Sequence, residues 1–333
     1  IDICPVGALT DNKYRFTARV WEMNHTEGPC TLCSVGCRQR VWTKNGMIKR
    51  VTAGENEKVN DSWICDVGRY GWSGVHGESR IQTPMLRKGG RLQPVNWEEA
   101  IAAVAGRFSA IREESGGGAI AGLGGGCSTN ESAYQFGVFL RAILGSNNVD
   151  CRIHPRDAAQ SEAQRIALGG IGGHGSIEAL GRAKSILLVG SDPFRENPIL
   201  ALQVRKAHRA GAVIVSVNPR RVDLRLHGRL HHLNPLQGEM ARALHALTKN
   251  LAGEGAFPEG EGAEAYRTAL EREEIGDLLR FAGVEAESFA EAMRGLLSAE
   301  EGGAAVLVGS AVCDEAASVE AVNLSLCIGA EII

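Results

Sequence analysis

Aromatic residues are scarce in this chain: Phe, Trp and Tyr together make up 5% of its 333 residues. Long hydrophobic runs are missing too. A membrane span needs about eighteen apolar residues, whereas apolar stretches such as Ile186–Val189 and Ala212–Val217 are strand-sized, which excludes direct membrane insertion. There is no basic excess. The formal net charge of −3 argues against a nucleic-acid partner, which would want a positive face. No secretory leader pattern is found, and the nine cysteines, an odd number, argue against a disulfide framework. His154, His174, His208, His227, His231 and His232 form no metal-ligand constellation. His231 and His232 are adjacent in a strand-like segment, so their rings should point to opposite faces. The chain opens Ile-Asp-Ile-Cys rather than with Met and stops inside the apolar segment Ile328–Ile333, so it reads as an internal fragment of a longer protein.

Glycine is abundant, at 42 residues, which suits a sheet-and-helix protein with many tight turns. Three regions separate by composition. Residues 1–24 read as the tail of a preceding cluster-bearing, ferredoxin-like domain: a Cys-Pro turn, then a strand-like Tyr14–Trp21. Residues 25–80 are cysteine-bearing and turn-rich. Within them Arg38–Lys44 and Met47–Ala53 flank Asn45-Gly46, a strong hairpin signal because both turn residues tolerate positive φ.

Residues 81–333 alternate strand-like and helix-like segments. Helices are expected from Asn96, as N-cap, to about Ile111, from a Ser128-x-x-Glu131 capping box through about Leu144, over Pro198–Arg209, from Glu239, and over Glu315–Ile328. Strands are expected at Ala119–Leu123, Ser185–Gly190, Ala212–Asn218 and Ala304–Gly309. Such alternation implies a doubly wound, mostly parallel sheet wrapped by helices. The polar, Glu-rich Ala252–Glu301 reads as a helical lobe. Gly122-x-Gly124 and Gly190-Ser-Asp-Pro193 each follow a strand, but neither completes a dinucleotide fingerprint, and turn chemistry accounts for both.

The sharpest feature is Cys30-x2-Cys33-x3-Cys37, followed after 27 residues by Cys65. A cubane cluster needs four thiolates at tetrahedral corners. A tight loop presents three, and a distant one closes the site. Gly36 before Cys37 permits the backbone such a loop requires. A structural zinc site is the competing reading, although zinc sites usually show two Cys-x2-Cys halves. Cys4-Pro5 is a second signal, because in bacterial-type ferredoxins a Cys-Pro ligand serves the other cluster. Cys127, Cys151, Cys313 and Cys327 are isolated and read as packing residues.

Four stretches together resemble the large iron–sulfur subunit of bacterial NADH:quinone oxidoreductase (respiratory complex I). They are Cys4–Leu9, Phe16–Trp21, the Cys30–Cys37 loop and Ile64–Tyr70. Arg80–Arg87, Val95–Ala100, Gly190–Pro193 with Glu196–Pro198, and Asn218–Arg220 are similar to the molybdopterin-oxidoreductase superfamily, to which that subunit's C-terminal part belongs. The resemblance implies a small β-rich [4Fe–4S] domain followed by a molybdopterin-oxidoreductase-type α/β domain. It implies that Cys30, Cys33, Cys37 and Cys65 hold one [4Fe–4S] cluster, off the main electron path. Cys4 would be the fourth ligand of a second [4Fe–4S] cluster on that path, with [2Fe–2S] and further clusters upstream. The implied partners are the other peripheral-arm subunits, including the flavin- and NADH-binding one. The implied place is the cytoplasmic face of a bacterial membrane, and the implied activity that of a translocase subunit with no active site of its own.

A pterin-dependent enzyme of the formate-dehydrogenase type is the alternative, and three departures count against it. Arg156 stands where the enzymes place a Cys or selenocysteine metal ligand. Val67 stands where they place a Lys. Pro235-Leu-Gln-Gly-Glu239 replaces their cofactor turn. No molybdopterin is therefore expected. Cys151 as a displaced ligand is the weaker reading beside simple packing.

Overall fold

The computed structural model describes residues 1–151, 175–255, 257, 262–297, 303–312 and 315–333. Arg156, Cys313, His154 and His174 therefore lie outside the described residues. The chain divides into two compact units, one of residues 1–43, 49–69 and 154–333, the other of residues 44–48 and 70–153.

The first unit opens on a three-stranded sheet, β1 (Asn24–Pro29), β2 (Arg38–Lys44) and β3 (Met47–Ala53), in that order. The hairpin falls where the sequence places it, with Asn45 at φ 52° and Gly46 at φ 76°. Tyr14–Trp21 is not a strand. Asp11 O accepts the Tyr14 and Arg15 amides, Phe16 takes a φ of 66°, and the stretch ends in a 3-10 turn at Val20–Glu22. Phe16 and Trp21 are exposed, so no buried face supports an extended conformation there. Conversely β1, Asn-His-Thr-Glu-Gly-Pro, carries little strand propensity and exists by pairing antiparallel with β2. The short helix α1 (Asp66–Tyr70) follows Cys65.

The second unit holds the hairpin β4 (Met85–Lys88) and β5 (Arg91–Pro94), helix α2 (Trp97–Ser115), strands β6 (Gly122–Leu123) and β7 (Val149–Asp150), and helix α3 (Asn130–Val138), which continues as a π-turn over Phe139–Ile143. Asn96 caps α2, its side chain accepting the Glu99 amide at 2.8 Å. Two expectations shift here. The strand at Ala119–Leu123 shrinks to its last two residues, because Gly117–Ala119 form a 3-10 turn after Gly116 at φ 78°. The α3 cap is Thr129 rather than Ser128: Thr129 Oγ1 accepts the Ser132 amide at 3.2 Å, while the Ser128 amide is taken by Gly125 O.

The rest of the first unit is built on a parallel sheet of order β10-β9-β8-β11-β12 (Leu230–Leu233, Val213–Val217, Ser185–Val189, Ala304–Val308, Glu331–Ile332). Its helices are α4 (Ile177–Leu180), α5 (Pro193–Glu196), α6 (Pro198–Arg209), α7 (Met240–Gly253), α8 (Ala263–Glu271), α9 (Ile275–Ala282), α10 (Ala286–Leu297) and α11 (Glu315–Cys327). Strand β8 is buried at every residue. Leu187 and Val189 point into the core formed with α7, α9, α10 and α11, while Ile186 and Leu188 point into the core formed with α4 and α6. Burial on both faces is why the central strands read as continuous apolar runs instead of alternating ones. The second of these cores also contains Cys30, Val35 and Cys37, so the cysteine loop is seated on the sheet's α6 face.

Candidate metal centre

Cys30, Cys33 and Cys37 lie on the turn between β1 and β2. The Cys30 amide donates to Cys37 O at 2.7 Å and the Gly36 amide to Cys33 O at 3.4 Å. Gly36 sits at φ 63°, a region open to glycine without strain. Cys65 enters from the start of α1 and its Sγ accepts the Gly68 amide at 3.3 Å. Gly68 is the closing contact: a Cβ there would lie 2.8 Å from Ile64 and 3.6 Å from Cys30 Sγ. A larger residue there would crowd the Ile64 side chain just before Cys65, and nothing in its Asp-Val-Gly-Arg context announces that closeness.

Burial, and then the neighbouring Cys33, Cys30 and Cys65, push the Cys37 thiol up to about 12. Burial likewise raises Cys30, with Cys33 and Cys65 adding to it against the Leu32 amide. All four sulfurs are thus within electrostatic reach of one another, and four thiolates so grouped require a cationic partner. A single tetrahedral zinc, with Zn–S of about 2.3 Å, would draw its sulfurs to about 4 Å apart. Three thiols on one turn with a single distant fourth suit a polynuclear iron–sulfide centre better than zinc, which usually takes two Cys-x2-Cys halves.

Asn60, only 1% exposed, holds the two halves of the set in register. Its Oδ1 accepts the Arg38 amide, next to Cys37, at 2.8 Å, and its Nδ2 donates to Trp63 O, two residues before Cys65, and to Gly54 O, each at 2.9 Å. Asn60→Ala would remove the partner of three backbone groups, of which Gly54 O is buried and two are half-buried, a buried one being worth about 1–3 kcal/mol when unsatisfied. The expected result is a loss of about 2–4 kcal/mol and faster iron release to a chelator. Release at the wild-type rate would show that Asn60 does not hold the site together.

Cys4 is not among the thiols that act on Cys30 and Cys37. It is half-buried, and its Sγ accepts the Ala8 amide at 3.3 Å in a turn with Gly7 at φ 64°. The amides of Leu9, Ala8 and Val6 pull its thiol below the ordinary range. It lines a cavity of about 410 Å³ together with Asp2, Asp11, Tyr14, Arg40, Trp42, Arg50 and Arg69. Of the isolated cysteines, Cys327 is buried as expected. Cys127 and Cys151 are exposed, a correction to the packing reading, because each sits in a turn or at the end of a two-residue strand that nothing among the described residues covers.

The molybdopterin oxidoreductase profile matches residues 80–323, and that of the molybdopterin oxidoreductase Fe4S4 domain matches residues 23–77. The chain belongs to the molybdopterin oxidoreductase family. It is 38% identical over 223 residues to the G subunit of the NADH-quinone oxidoreductase of Mycobacterium bovis, covering 65% of this chain and 27% of that protein. It is 31% identical over 309 residues to formate dehydrogenase H of Escherichia coli, covering 88% of this chain and 42% of that protein. Acetylene hydratase from Pelobacter acetylenicus shares the fold, with a TM-score of 0.76 over 91% of this chain and 43% of that one at 13% identity. The chain thus spans about a quarter to two fifths of the length of these relatives.

In a molybdopterin oxidoreductase fold, ligands bind beyond the carboxyl ends of the parallel strands. Here that edge is occupied by internal pairs. Buried Asp192, after β8, lies 3.6 Å from Arg195 and 3.5 Å from Arg220, and the Glu196 carboxylate accepts from Ser310, after β11. Asn234, after β10, donates to Asn218 O at 2.9 Å, and Glu239 pairs with Arg242. The three carboxylates are matched on this edge by Arg195, Arg220 and Arg242, so its charge does not oppose an anionic phosphate. Val67 is exposed on α1 and offers neither charge nor donor.

Proposed function

We propose that the chain is the cluster-bearing part of the large iron–sulfur subunit of an NADH:quinone oxidoreductase, moving electrons from NADH and flavin in a partner subunit towards quinone. The observation that carries this reading is the pair of separate thiol sites, the four-cysteine set and the amide-lined Cys4. A single cluster next to a pterin needs only the first. Cys30, Cys33, Cys37 and Cys65 would hold one [4Fe–4S] cluster, and Cys4 would be the fourth ligand of another. Such clusters supply one-electron transfer when bound. The protein's part is to seat the thiols, direct amides at them and cover them with the α6-face core. The domain division 1–24, 25–80 and 81–333 goes with this reading. So do [2Fe–2S] and other clusters elsewhere in the whole subunit, peripheral-arm partners, and a place on the cytoplasmic side of the membrane. No described helix is long and apolar enough to cross one.

The formate-dehydrogenase reading is favoured by the long alignment to formate dehydrogenase H. Metal analysis and EPR of the intact protein separate the two. Iron and sulfide without stoichiometric molybdenum or tungsten is the expected result, with Cys4→Ala and Cys30→Ala each removing a different signal. Bound pterin dinucleotide with formate oxidation would overturn the proposal, and so would loss of the same signal in both variants. Stoichiometric zinc would overturn the iron–sulfur assignment altogether.

A further inference from the structure

The cavity beside Cys4 is lined by three arginines whose charges are not equally free. Arg69 is held by Asp2 at 2.6 Å, and Arg40 by Glu27 at 2.6 Å, a carboxylate that also engages Arg38. Asp11, the other acid of the lining, is buried and uses Oδ1 to accept the Lys13 amide at 2.8 Å. Arg50 is different. Its guanidinium lies 4.9 Å from the centroid of Tyr14 and 4.6 Å from that of Trp42, and its Nε is buried without a hydrogen-bond partner. No carboxylate among the described residues pairs with it. Trp42 is itself fixed, its Nε1 donating to Thr52 at 2.9 Å and its ring lying 4.6 Å from that of His25. The aromatic pair, rather than an acid, keeps this cation in place, so its charge stays available to the cavity.

We propose that Arg50, packed against Tyr14 and Trp42 in the cavity that opens on Cys4, is a positioning residue that sets the reduction potential of the metal centre held at Cys4. The proposal rests on the reading above that Cys4 is a cluster ligand. A cluster gains one negative charge on accepting an electron, and a fixed cation nearby favours the reduced form. Neutralising that cation leaves the electron harder to add. A unit charge acting over about 12 Å at an effective dielectric of about 20 changes such an equilibrium about tenfold, which is ~59 mV for a one-electron couple. Two rings within about 5 Å also explain why arginine stands here: a flat guanidinium stacks on aromatic rings, whereas a hydrated ammonium stacks less well.

The test is an EPR-monitored redox titration of the intact protein, with dithionite and ferricyanide as reductant and oxidant. Arg50→Gln is expected to lower the midpoint of the signal that Cys4→Ala removes, by about tenfold in the reduction equilibrium. Arg50→Lys should recover most of the shift, and the Cys30-dependent signal should not move. If Arg50→Gln loses the centre altogether, the Lys variant decides: a retained signal near the wild-type midpoint supports a charge role, and equal loss overturns it. An unchanged midpoint in Arg50→Gln also overturns the proposal while leaving Cys4 as a ligand. If Cys4→Ala removes no signal, the underlying reading fails instead.

Discussion

Replacing Cys37 by Ala is expected to remove about four irons and four sulfides per chain, as one cubane requires, and to leave the Cys4-dependent centre in place. Cys37 is the most buried of the four thiols, at 4% exposure. Its carbonyl closes the loop onto the Cys30 amide, and its chain leads straight into β2. No other described thiol is placed to replace it: the further described cysteines are exposed, on the far core face in α11, or at Cys4. Structural metal binding is folding free energy for the segment that binds. The variant should therefore be cut by protease within residues 24–70 before the parallel sheet opens, since β8 and β9 have cores on both faces that need no metal. Cys127→Ala, at an exposed position, is the control and should keep all its iron. Iron and sulfide at the wild-type level in Cys37→Ala would remove this thiol from the ligand set.

Much of this arrangement can be read from local pattern. The Asn45-Gly46 hairpin, α6 over Pro198–Arg209 and the strands at β8, β9 and β11 follow from turn chemistry, Pro at the first helical position and apolar runs. The four-cysteine spacing is likewise a local signal. What escaped is non-local. Strand β1 exists because β2 pairs with it, and Tyr14–Trp21, which has the composition of a strand, has no partner to make it one. Asn60 sits between Val59 and Asp61 with no motif around it, and its value lies in reaching backbone groups on both sides of the cysteine set. Gly68 leaves room for the Ile64 side chain beside Cys30, 38 residues away in sequence. Arg50 is one arginine among many until folding brings the rings of Tyr14 and Trp42 against it. Where a role depends on which partner arrives from elsewhere, residue type and spacing carry no trace of it.

Glu320→Ala is expected to cost about 2–3 kcal/mol, the range for losing hydrogen bonds to a half-buried charged group. Glu320, on α11, binds two helices at once. One carboxylate oxygen is 3.1 Å from His245 Nδ1 on α7, and the other accepts the Tyr266 hydroxyl on α8 at 2.5 Å. Glu273 stands 3.9 Å from the opposite ring nitrogen, which has no hydrogen-bond partner, and Lys249 faces the same histidine from its own helix. The Glu320 hydrogen bond raises the His245 pKa against the opposing effect of burial, with Glu273 adding and Lys249 subtracting. Burial first, and then Glu320, raise the Tyr266 hydroxyl, so it stays a donor throughout. The sign for His245 follows. A histidine whose pKa is higher folded than unfolded adds stability that is complete below the unfolded value, about 6.5, and is lost as pH rises through the folded value. The gap between wild type and Glu320→Ala should therefore be widest near pH 6 and narrow towards pH 8. Glu320→Gln should keep the Tyr266 bond, lose less stability, and remove most of that pH dependence. Urea unfolding at the two pH values, with amide exchange in α7 and α11 as the local readout, tests this directly. A gap that is constant with pH, or that widens as pH rises, would mean that His245 does not carry the charge in the folded state.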